Sequence, residues 1–186
     1  PAGERLAGYE YQREGNPTND RLREALQALE GGATALTFAS GMAAITTLLE
    51  SLPAGSRVLF PDDCYSGLRM LFSEFLPERG LVVETIDMAN LDAVRAACAA
   101  PLAMLWIETP SNPLLKVCDI AALAALGHAA GARVVVDNTF ATPLLQRPLA
   151  LGADVVLHST TKYFGGHSDV LGGALVFARD DEFARH

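Results

Sequence analysis

The sequence predicts an α/β fold in which a mostly parallel sheet is covered by helices on both faces. Three observations predict it. Short apolar runs alternate with segments of helical periodicity along most of the chain. Several of these runs are continuously apolar, which is typical of strands buried on both faces. The chain has 186 residues, half of them hydrophobic, which suits one large core better than two.

The first half of the chain alternates between the two patterns. A helix is predicted over 20–29, and Gly31-Gly32 ends it. Its predicted inward face consists of Leu22, Ala25, Leu26 and Leu29. The other predicted helices of this half are 41–49, 67–78 and 90–99, and the predicted strands are 33–38, 58–60 and 81–86.

The second half continues the alternation. A strand over 102–107 is followed by a proline-rich loop at 109–113, and Asp119 caps a helix that runs to Ala130. The remaining predicted strands are 134–136, 155–157 and 172–178. Residues 1–19 lack periodicity, so we predict an N-terminal arm over 1–19 and a single domain over 20–186.

Composition narrows the possible partners. The net charge is −8 and no basic cluster occurs, so neither nucleic acid nor an anionic membrane is predicted as a partner. The apolar runs are too short to span a bilayer. Cys64, Cys98 and Cys118 lack metal-site spacing, as do the histidines, and are expected to be free thiols of a cytoplasmic protein with no metal site. Because the chain begins at Pro1 and stops after a charged segment, we expect a fragment of a longer protein.

Lys162 is one of only two lysines, and its surroundings are unusual for a surface charge. The run 154–157 leads into it, small hydroxyl residues precede it, and Gly165-Gly166 follows it. We expect such a lysine to be partly desolvated, which disfavours the charged amine. A neutral amine is a nucleophile that forms Schiff bases. The alternative for a lone lysine is a solvated side chain that extends into water.

Two further groups lie at predicted strand ends, where open parallel sheets bind their ligands. Ser40-Gly41-Met42 joins a strand to a helix, where backbone N–H groups favour a phosphate and glycine permits close approach. A helix N-cap is the alternative for Ser40. Asp137 ends the strand 134–136, and its carboxylate suits a protonated ring nitrogen. Capping of the following turn through Thr139 is the alternative.

Hydroxyl and aromatic residues complete the candidate site. Ser159 and Thr161 stand three residues and one residue before Lys162, where their hydroxyls suit a phosphate on the same ligand. Tyr65 follows another strand end, and its ring either stacks on a planar ligand or packs at a helix start. Matching groups at several strand ends favour one shared site, and they point to a Schiff-base enzyme that carries pyridoxal phosphate.

Six motifs along the chain carry these residues. They are YEYQREGNPT at 9–18, SGM at 40–42, DCY at 63–65, ETPSNP at 108–113, VDNTF at 136–140 and HSTTKYFGGHSD at 158–169. In content and order they resemble the Cys/Met-metabolism pyridoxal-phosphate enzymes, such as the cystathionine γ-synthases and γ-lyases. The resemblance covers essentially the whole chain. It implies an aspartate-aminotransferase-like large domain with pyridoxal 5′-phosphate as cofactor.

The resemblance also implies a role for each residue. Lys162 holds the cofactor as a Schiff base and, with Tyr65, serves in catalysis; Tyr65 also stacks on the ring. Asp137 pairs with the ring nitrogen, and Asn112 lies near the ring hydroxyl and the substrate. The implied phosphate site consists of Ser40, Gly41, Met42, Ser159 and Thr161.

The arm is implied to act between subunits. Tyr11 and Arg13 then reach the phosphate of a neighbouring subunit's cofactor, which implies a homo-oligomer, a tetramer built as a dimer of dimers. Glu10 is the candidate contact for the distal ammonium group of a cystathionine-sized substrate; a solvated arm residue is the alternative.

Two features depart from the family pattern. Gly165-Gly166-His167 replaces the Asn-Gly-His that often follows the lysine, and we expect the chemistry to be unchanged. The family's C-terminal domain, which carries the arginine for the substrate carboxylate, is absent from these 186 residues. We therefore expect this chain alone to hold an incomplete site.

The predicted activity is trans-sulfuration at Cβ or Cγ of sulfur amino acids or of an activated homoserine, as a C–S lyase or a γ-replacement transferase. Glu10 and the lack of a cysteine two residues after Tyr65 favour cystathionine γ-synthase or γ-lyase. Cystathionine β-lyase and methionine γ-lyase are the alternatives within the family. Outside it, a Schiff-base lyase without pyridoxal phosphate and a non-catalytic binding or assembly module stay open.

Overall fold

The computed structural model of the chain describes residues 8–12 and 15–185. They contain the strands β1 (Thr34–Phe38), β2 (Arg57–Pro61), β3 (Val82–Ile86), β4 (Met104–Glu108), β5 (Arg133–Asp137), β6 (Val155–His158) and β7 (Gly173–Phe177). These strands form one sheet of order β1-β7-β6-β5-β4-β2-β3. Strands β2 to β6 pair in parallel, whereas β7 is antiparallel to both of its neighbours, β1 and β6. The predicted mostly parallel sheet is confirmed.

The helices connect the strands. They are α1 (Pro17–Glu30), α2 (Gly41–Glu50), α3 (Ser66–Met70), α4 (Leu76–Glu78), α5 (Leu91–Ala97), α6 (Ile120–Ala129), α7 (Thr142–Leu145) and α8 (Glu182–Arg185). A π-helical turn, Leu71–Phe75, joins α3 to α4, so the helix predicted over 67–78 is not one regular α-helix. Sequence periodicity predicts neither α7 and α8 nor the 3₁₀ turn Pro148–Leu151.

Helix α1 begins three residues earlier than predicted. The side chain of Asn16 accepts a hydrogen bond from the backbone N–H of Asn19, and Pro17 occupies the first turn, where it has no bond to lose. Residues 17–19 therefore belong to the helix and not to the predicted arm. The helix ends as predicted, because Gly31 adopts φ 77°, a conformation that glycine adopts at little cost.

Helices cover both faces of the sheet, as predicted. On one face, α2, α3 and α8 pack on a core that includes Phe60 and Trp106. On the other face, α5 and α6 pack on Leu105 and Val136, and α1 packs on the sheet next to them through Leu26. Because successive strand residues point to opposite faces, continuously apolar strands supply both cores.

The predicted inward face of α1 is largely wrong. Leu26 and Glu30 are its buried residues, whereas Leu22 is 40% and Leu29 is 44% exposed. Periodicity identifies the helix but not its rotation about its axis, and a buried glutamate at the helix end has no apolar signal. The burial of Glu30 has consequences for the site described below.

Candidate active site

Residues at the carboxyl ends of five strands, β1, β2, β4, β5 and β6, line one cavity of about 180 Å³. The cavity lies where the expected ligand site of an open parallel sheet lies. The structure brings together on its walls the predicted residues Ser40, Gly41, Met42, Tyr65, Asn112, Asp137, Ser159, Thr161 and Lys162. Residues that the sequence does not assign to the site also line it, among them Ile45, Glu108, Thr139, Phe140 and Leu171.

The start of α2 forms one end of the cavity. Ser40 is the N-cap of α2, since its Oγ accepts the N–H of Ala43 at 3.0 Å. The N–H groups of Gly41 and Met42 precede the first one that the helix itself can bond. A side chain on Gly41 would bring a Cβ within 2.9 Å of the Cβ of Ser159, so only glycine permits this approach. This end has backbone donors and a hydroxyl, as an anion site requires.

The loop after β6 supplies the other hydroxyl groups at this end. Ser159 is held by its backbone N–H, which donates to Thr139 Oγ1 at 2.9 Å. The Thr161 hydroxyl is bonded to Gly172, donating to its carbonyl at 3.2 Å and accepting its N–H at 3.0 Å. Thr161 thus fixes the loop that carries Lys162, and its proton is already engaged.

Asp137 lies at the end of β5 and is buried. One of its carboxylate oxygens accepts the N–H of Thr139 at 3.0 Å, so the residue does cap the following turn. It also lines the cavity, so the two interpretations left open by the sequence do not exclude each other. Burial raises the pKa of Asp137 above its ordinary value, and the hydrogen bonds from Thr139 offset this only in part. A cationic group in the cavity would complete its pairing.

Glu108 is a buried acid that the sequence does not assign to the site. It ends β4, directly opposite Asp137 in the register of β4 and β5. Its two carboxylate oxygens accept the backbone N–H of Tyr65 at 3.1 and 3.0 Å, and the backbone N–H of Asn112 also donates to it. It therefore joins the loops that carry Tyr65 and Asn112.

Stability is expected to depend on pH through Glu108. Burial, followed by the charge of Asp137, raises the pKa of Glu108 to about 8 from a value of 4.5. Between these two values the folded chain holds a proton that the unfolded chain has lost, so the free energy of unfolding falls as the pH rises. Across this window we expect the free energy of unfolding of the cofactor-free protein to fall by at most about 5 kcal/mol more than that of the Glu108→Gln variant. Urea denaturation at several pH values measures it, and parallel curves for the two proteins would exclude Glu108 as the source.

Tyr65 stands at the start of α3, and its ring lines the cavity. A Cβ on Gly67 would lie 2.5 Å from the Tyr65 ring, so the ring packs over this glycine beside Met42. The Tyr65 ring therefore packs at the start of α3 and also faces the cavity. The ring is 41% exposed, which leaves part of it open to a ligand.

Lys162 lines the cavity, but the residue as a whole is exposed. The prediction that its amine is desolvated is therefore wrong for the isolated chain. Its neighbours at the rim of the cavity are exposed as well. Leu171, which lines the same cavity, is 74% exposed, and Tyr163 next to Lys162 is 66% exposed.

Among the described arm residues, Glu10 and Tyr11 do not line this cavity. Glu10 and Tyr11 are exposed, and Tyr11 contributes with Asn16 to a separate surface depression. Arg13 lies outside the described residues. The intersubunit roles implied for Tyr11 and Arg13 stay predictions.

Residues 8–12 and 15–185 contain no cluster of histidine, cysteine or acidic side chains that could hold a metal ion. In the same residues, no helix is long and apolar enough to cross a membrane. All three cysteines are free thiols, and burial raises the pKa of Cys64 to about 12 and that of Cys118 to about 11. These thiols are therefore poor nucleophiles at neutral pH.

Known proteins similar to this chain have related names. A probable cystathionine gamma-synthase of Herpetosiphon aurantiacus is 51% identical over 178 residues, which are 96% of this chain and 56% of that protein. A cystathionine beta-lyase of Lactococcus lactis is 48% identical over 176 residues, covering 95% of this chain and 46% of that protein. The crystal structure of cystathione gamma lyase CalE6 from Micromonospora echinospora matches with a TM-score of 0.93 and 48% identity, over 99% of this chain and 48% of that one.

The similar proteins are longer than this chain, and they share a family with it. The chain spans about half the length of the relatives it matches. The family model described as Cys/Met metabolism PLP-dependent enzyme matches residues 2–186. This match agrees with the lysine, the buried carboxylate and the start of α2 that meet in one cavity. The chain belongs to the family of pyridoxal-phosphate-dependent enzymes of Cys/Met metabolism.

Proposed function

We propose that the protein to which this chain belongs is a pyridoxal-phosphate-dependent trans-sulfuration enzyme, acting at Cβ or Cγ of a sulfur amino acid or of an activated homoserine. The observation that carries the proposal is the meeting of Lys162, Asp137, Tyr65 and the start of α2 on one cavity. A Schiff-base enzyme without this cofactor needs the lysine but neither the carboxylate nor the anion-binding end. A module that only binds or assembles needs none of the three.

The residues present fit pyridoxal phosphate as a cofactor. In the proposed arrangement, the N–H groups of Gly41 and Met42 and the hydroxyl of Ser159 hold the phosphate. This assignment is supported by the approach between Gly41 and Ser159, which a single methyl group would fill. Asp137 holds the ring nitrogen in its protonated form, and Tyr65 covers one face of the ring. Asn112, whose loop is fixed by Glu108, lies near the ring hydroxyl.

When bound, the cofactor supplies an aldehyde for amine groups and a ring that accepts the electron pair of a broken Cα–H bond. Lys162 would anchor it, and the amine of Lys162, when free, would take the proton from the substrate Cα. The same amine returns that proton to a neighbouring atom, which permits loss or replacement of the group on Cβ or Cγ. Asp137 supports the Cα step through its negative charge beside the ring nitrogen.

Among the reactions of the family, we propose cystathionine γ-synthase or γ-lyase chemistry. The basis for this choice is the probable gamma-synthase from Herpetosiphon aurantiacus, together with CalE6, which is named both a cystathione gamma lyase and a methionine gamma lyase. Cystathionine β-lyase stays an alternative because the Lactococcus lactis beta-lyase is nearly as similar. Methionine γ-lyase is the further alternative. Glu10 and Asn112 are the substrate contacts we propose within this chain.

The deciding experiment gives the full-length protein, loaded with pyridoxal phosphate, two kinds of substrate. Cleavage of cystathionine is measured through the keto acid and thiol released. Thiol replacement is measured with cysteine and an acylated homoserine. Formation of cystathionine identifies a γ-synthase, and release of cysteine or of homocysteine identifies a γ-lyase or a β-lyase. No turnover in either assay, nor with methionine, with cofactor bound, would leave a binding role and refute the proposed function.

We also propose that the protein is a cytoplasmic homo-oligomer, a tetramer built as a dimer of dimers. Three free thiols suit a reducing compartment. Large apolar side chains stay exposed beside the cavity and in α7, among them Leu144, Leu145 and Leu171. A second subunit that packs there would cover them and bring its arm towards Lys162. Light scattering of the full-length protein tests the assembly, and a monomer at micromolar concentration would refute it.

A further inference from the structure

Glu30 and His158 form a buried pair on the face of the sheet opposite the cavity. Glu30 lies in the last turn of α1, and His158 ends β6. Their relative exposures are 1% and 0%, and Glu30 Oε1 lies 2.6 Å from His158 Nε2. A carboxylate and an imidazole removed from water in this way require partners. The site described above does not use either group directly.

Two amide side chains extend this pair across the ends of three strands. Asn138 Nδ2 donates to Glu30 Oε1 at 2.9 Å and to the carbonyl of Gln146 at 3.0 Å. Gln146 Nε2 donates to Asn138 Oδ1 at 2.9 Å and to the carbonyl of Thr109 at 3.0 Å. The network thus links α1 to the residues that follow β4 and β5 and to the end of β6.

The members of the network alternate with residues of the cavity. Asp137 immediately precedes Asn138, and Ser159 immediately follows His158. Because successive residues of extended chain point to opposite faces, Asp137 and Ser159 line the cavity while their neighbours meet at Glu30. The buried Glu30 carboxylate therefore connects the backbone beside Asp137 with the backbone beside Ser159, from the face of the sheet opposite the cavity.

This network is expected to contribute little net free energy to folding, because its groups lose their contact with water. Among the described residues, Glu30 Oε2 and His158 Nδ1 have no hydrogen-bond partner although both are buried. Burying a carboxyl group and an imidazole costs desolvation energy that their mutual interaction often only balances. Such a pair is better suited to fixing geometry than to raising stability.

We propose that Glu30 is a positioning residue, which fixes the ends of β5 and β6 so that Asp137 and Ser159 face the cofactor at a set separation. The inference rests on the proposed function, because it takes Asp137 and Ser159 as contacts of the ring nitrogen and the phosphate. It assigns to the buried end of α1 a part in cofactor binding, although α1 itself does not line the cavity.

The test compares Glu30→Ala with a matched control in the full-length protein. The control residue is Asp154, which is also buried and immediately precedes β6, at the amino end of the strand and away from the cavity. It pairs with His128 Nε2 at 2.9 Å and accepts the N–H of Val134 at 2.9 Å. We expect Glu30→Ala and Asp154→Ala both to lower the unfolding temperature. We expect only Glu30→Ala to weaken pyridoxal phosphate binding, by about tenfold or more, as loss of an outer partner does at other sites.

The measurement is the dissociation constant of pyridoxal phosphate, obtained by titrating the cofactor-free protein and following its visible absorbance. Glu30→Gln keeps an acceptor for His158 and Asn138, and we expect it to restore the affinity to within about threefold of wild type. Unchanged affinity in Glu30→Ala, or equal weakening in Asp154→Ala, would overturn the inference.

A second variant serves if Glu30→Ala fails to fold. His158→Phe removes the bond to Glu30 but keeps a ring against Phe164, whose centroid lies 4.8 Å from that of His158. We expect it to weaken cofactor binding in the same direction, and unchanged affinity would again overturn the inference. A wild-type protein that takes up no cofactor would refute the proposed function instead, so the two failures are distinguishable.

Discussion

Replacing Lys162 by alanine in the full-length protein is expected to abolish turnover and the visible absorbance of lysine-bound cofactor. The change removes both the amine that anchors the cofactor and the base that moves the Cα proton. A positioned base alone contributes about 10²–10⁴-fold to rate, and the loss of anchoring adds to this. Steady-state rates and absorbance spectra measure the two effects.

The fold is expected to survive this change. The backbone bonds that hold the loop, Lys162 N–H to the Ser159 carbonyl and Gly166 N–H to the Lys162 carbonyl, do not involve the side chain. The chain's other lysine supplies the control. Lys116 Nζ pairs with Asp62 at 3.0 Å near the surface, so Lys116→Ala is expected to have little effect on stability and none on activity. A Lys162→Ala protein that keeps its visible band and rate would contradict the assignment.

Removing the charge of Asp137 is expected to cost more rate than cofactor affinity. The carboxylate would keep the ring nitrogen protonated, which the Cα step needs, whereas the phosphate contacts would supply much of the binding. We expect kcat of Asp137→Ala to fall about 10²–10³-fold at saturating cofactor, the usual effect of losing one electrostatic contact at the reacting group. The dissociation constant of the cofactor is expected to change by less than the rate does.

The Asp137→Asn variant distinguishes the effect of the carboxylate charge from the effect of the hydrogen bond that caps the following turn. An asparagine oxygen can still accept the Thr139 N–H that Asp137 accepts at 3.0 Å, but it carries no charge. If the charge matters, the asparagine variant is as slow as the alanine variant. A fast asparagine variant would instead assign to Asp137 the capping of the turn alone.

The amino-acid sequence is sufficient to predict the position of the site. Apolar runs mark the strands, and in a parallel sheet the residue after each run lies at the same edge. Asp137, Lys162 and Tyr65 can therefore be grouped from their positions along the chain alone. The glycine of Ser40-Gly41 is informative too, since close approach to Ser159 excludes any larger residue there.

Three features could not be predicted, for identifiable physical reasons. In the sequence, Glu108 and Glu30 resemble solvated acidic residues. Only the fold shows that each is buried and hydrogen-bonded to a residue that follows a neighbouring strand. The exposure of Lys162 depends on what covers its open side, and apolar neighbours in sequence do not supply that cover. The reversed direction of β7 follows from how the chain crosses the sheet, which an apolar run does not encode.

Reduction with borohydride tests most directly whether Lys162 anchors the cofactor. The full-length protein is loaded with pyridoxal phosphate, reduced, digested and analysed by mass spectrometry. A phosphopyridoxyl group on the peptide that contains Lys162, with Lys116 unmodified, is the predicted result. The same group on Lys116, or on neither lysine of this chain, would contradict the account.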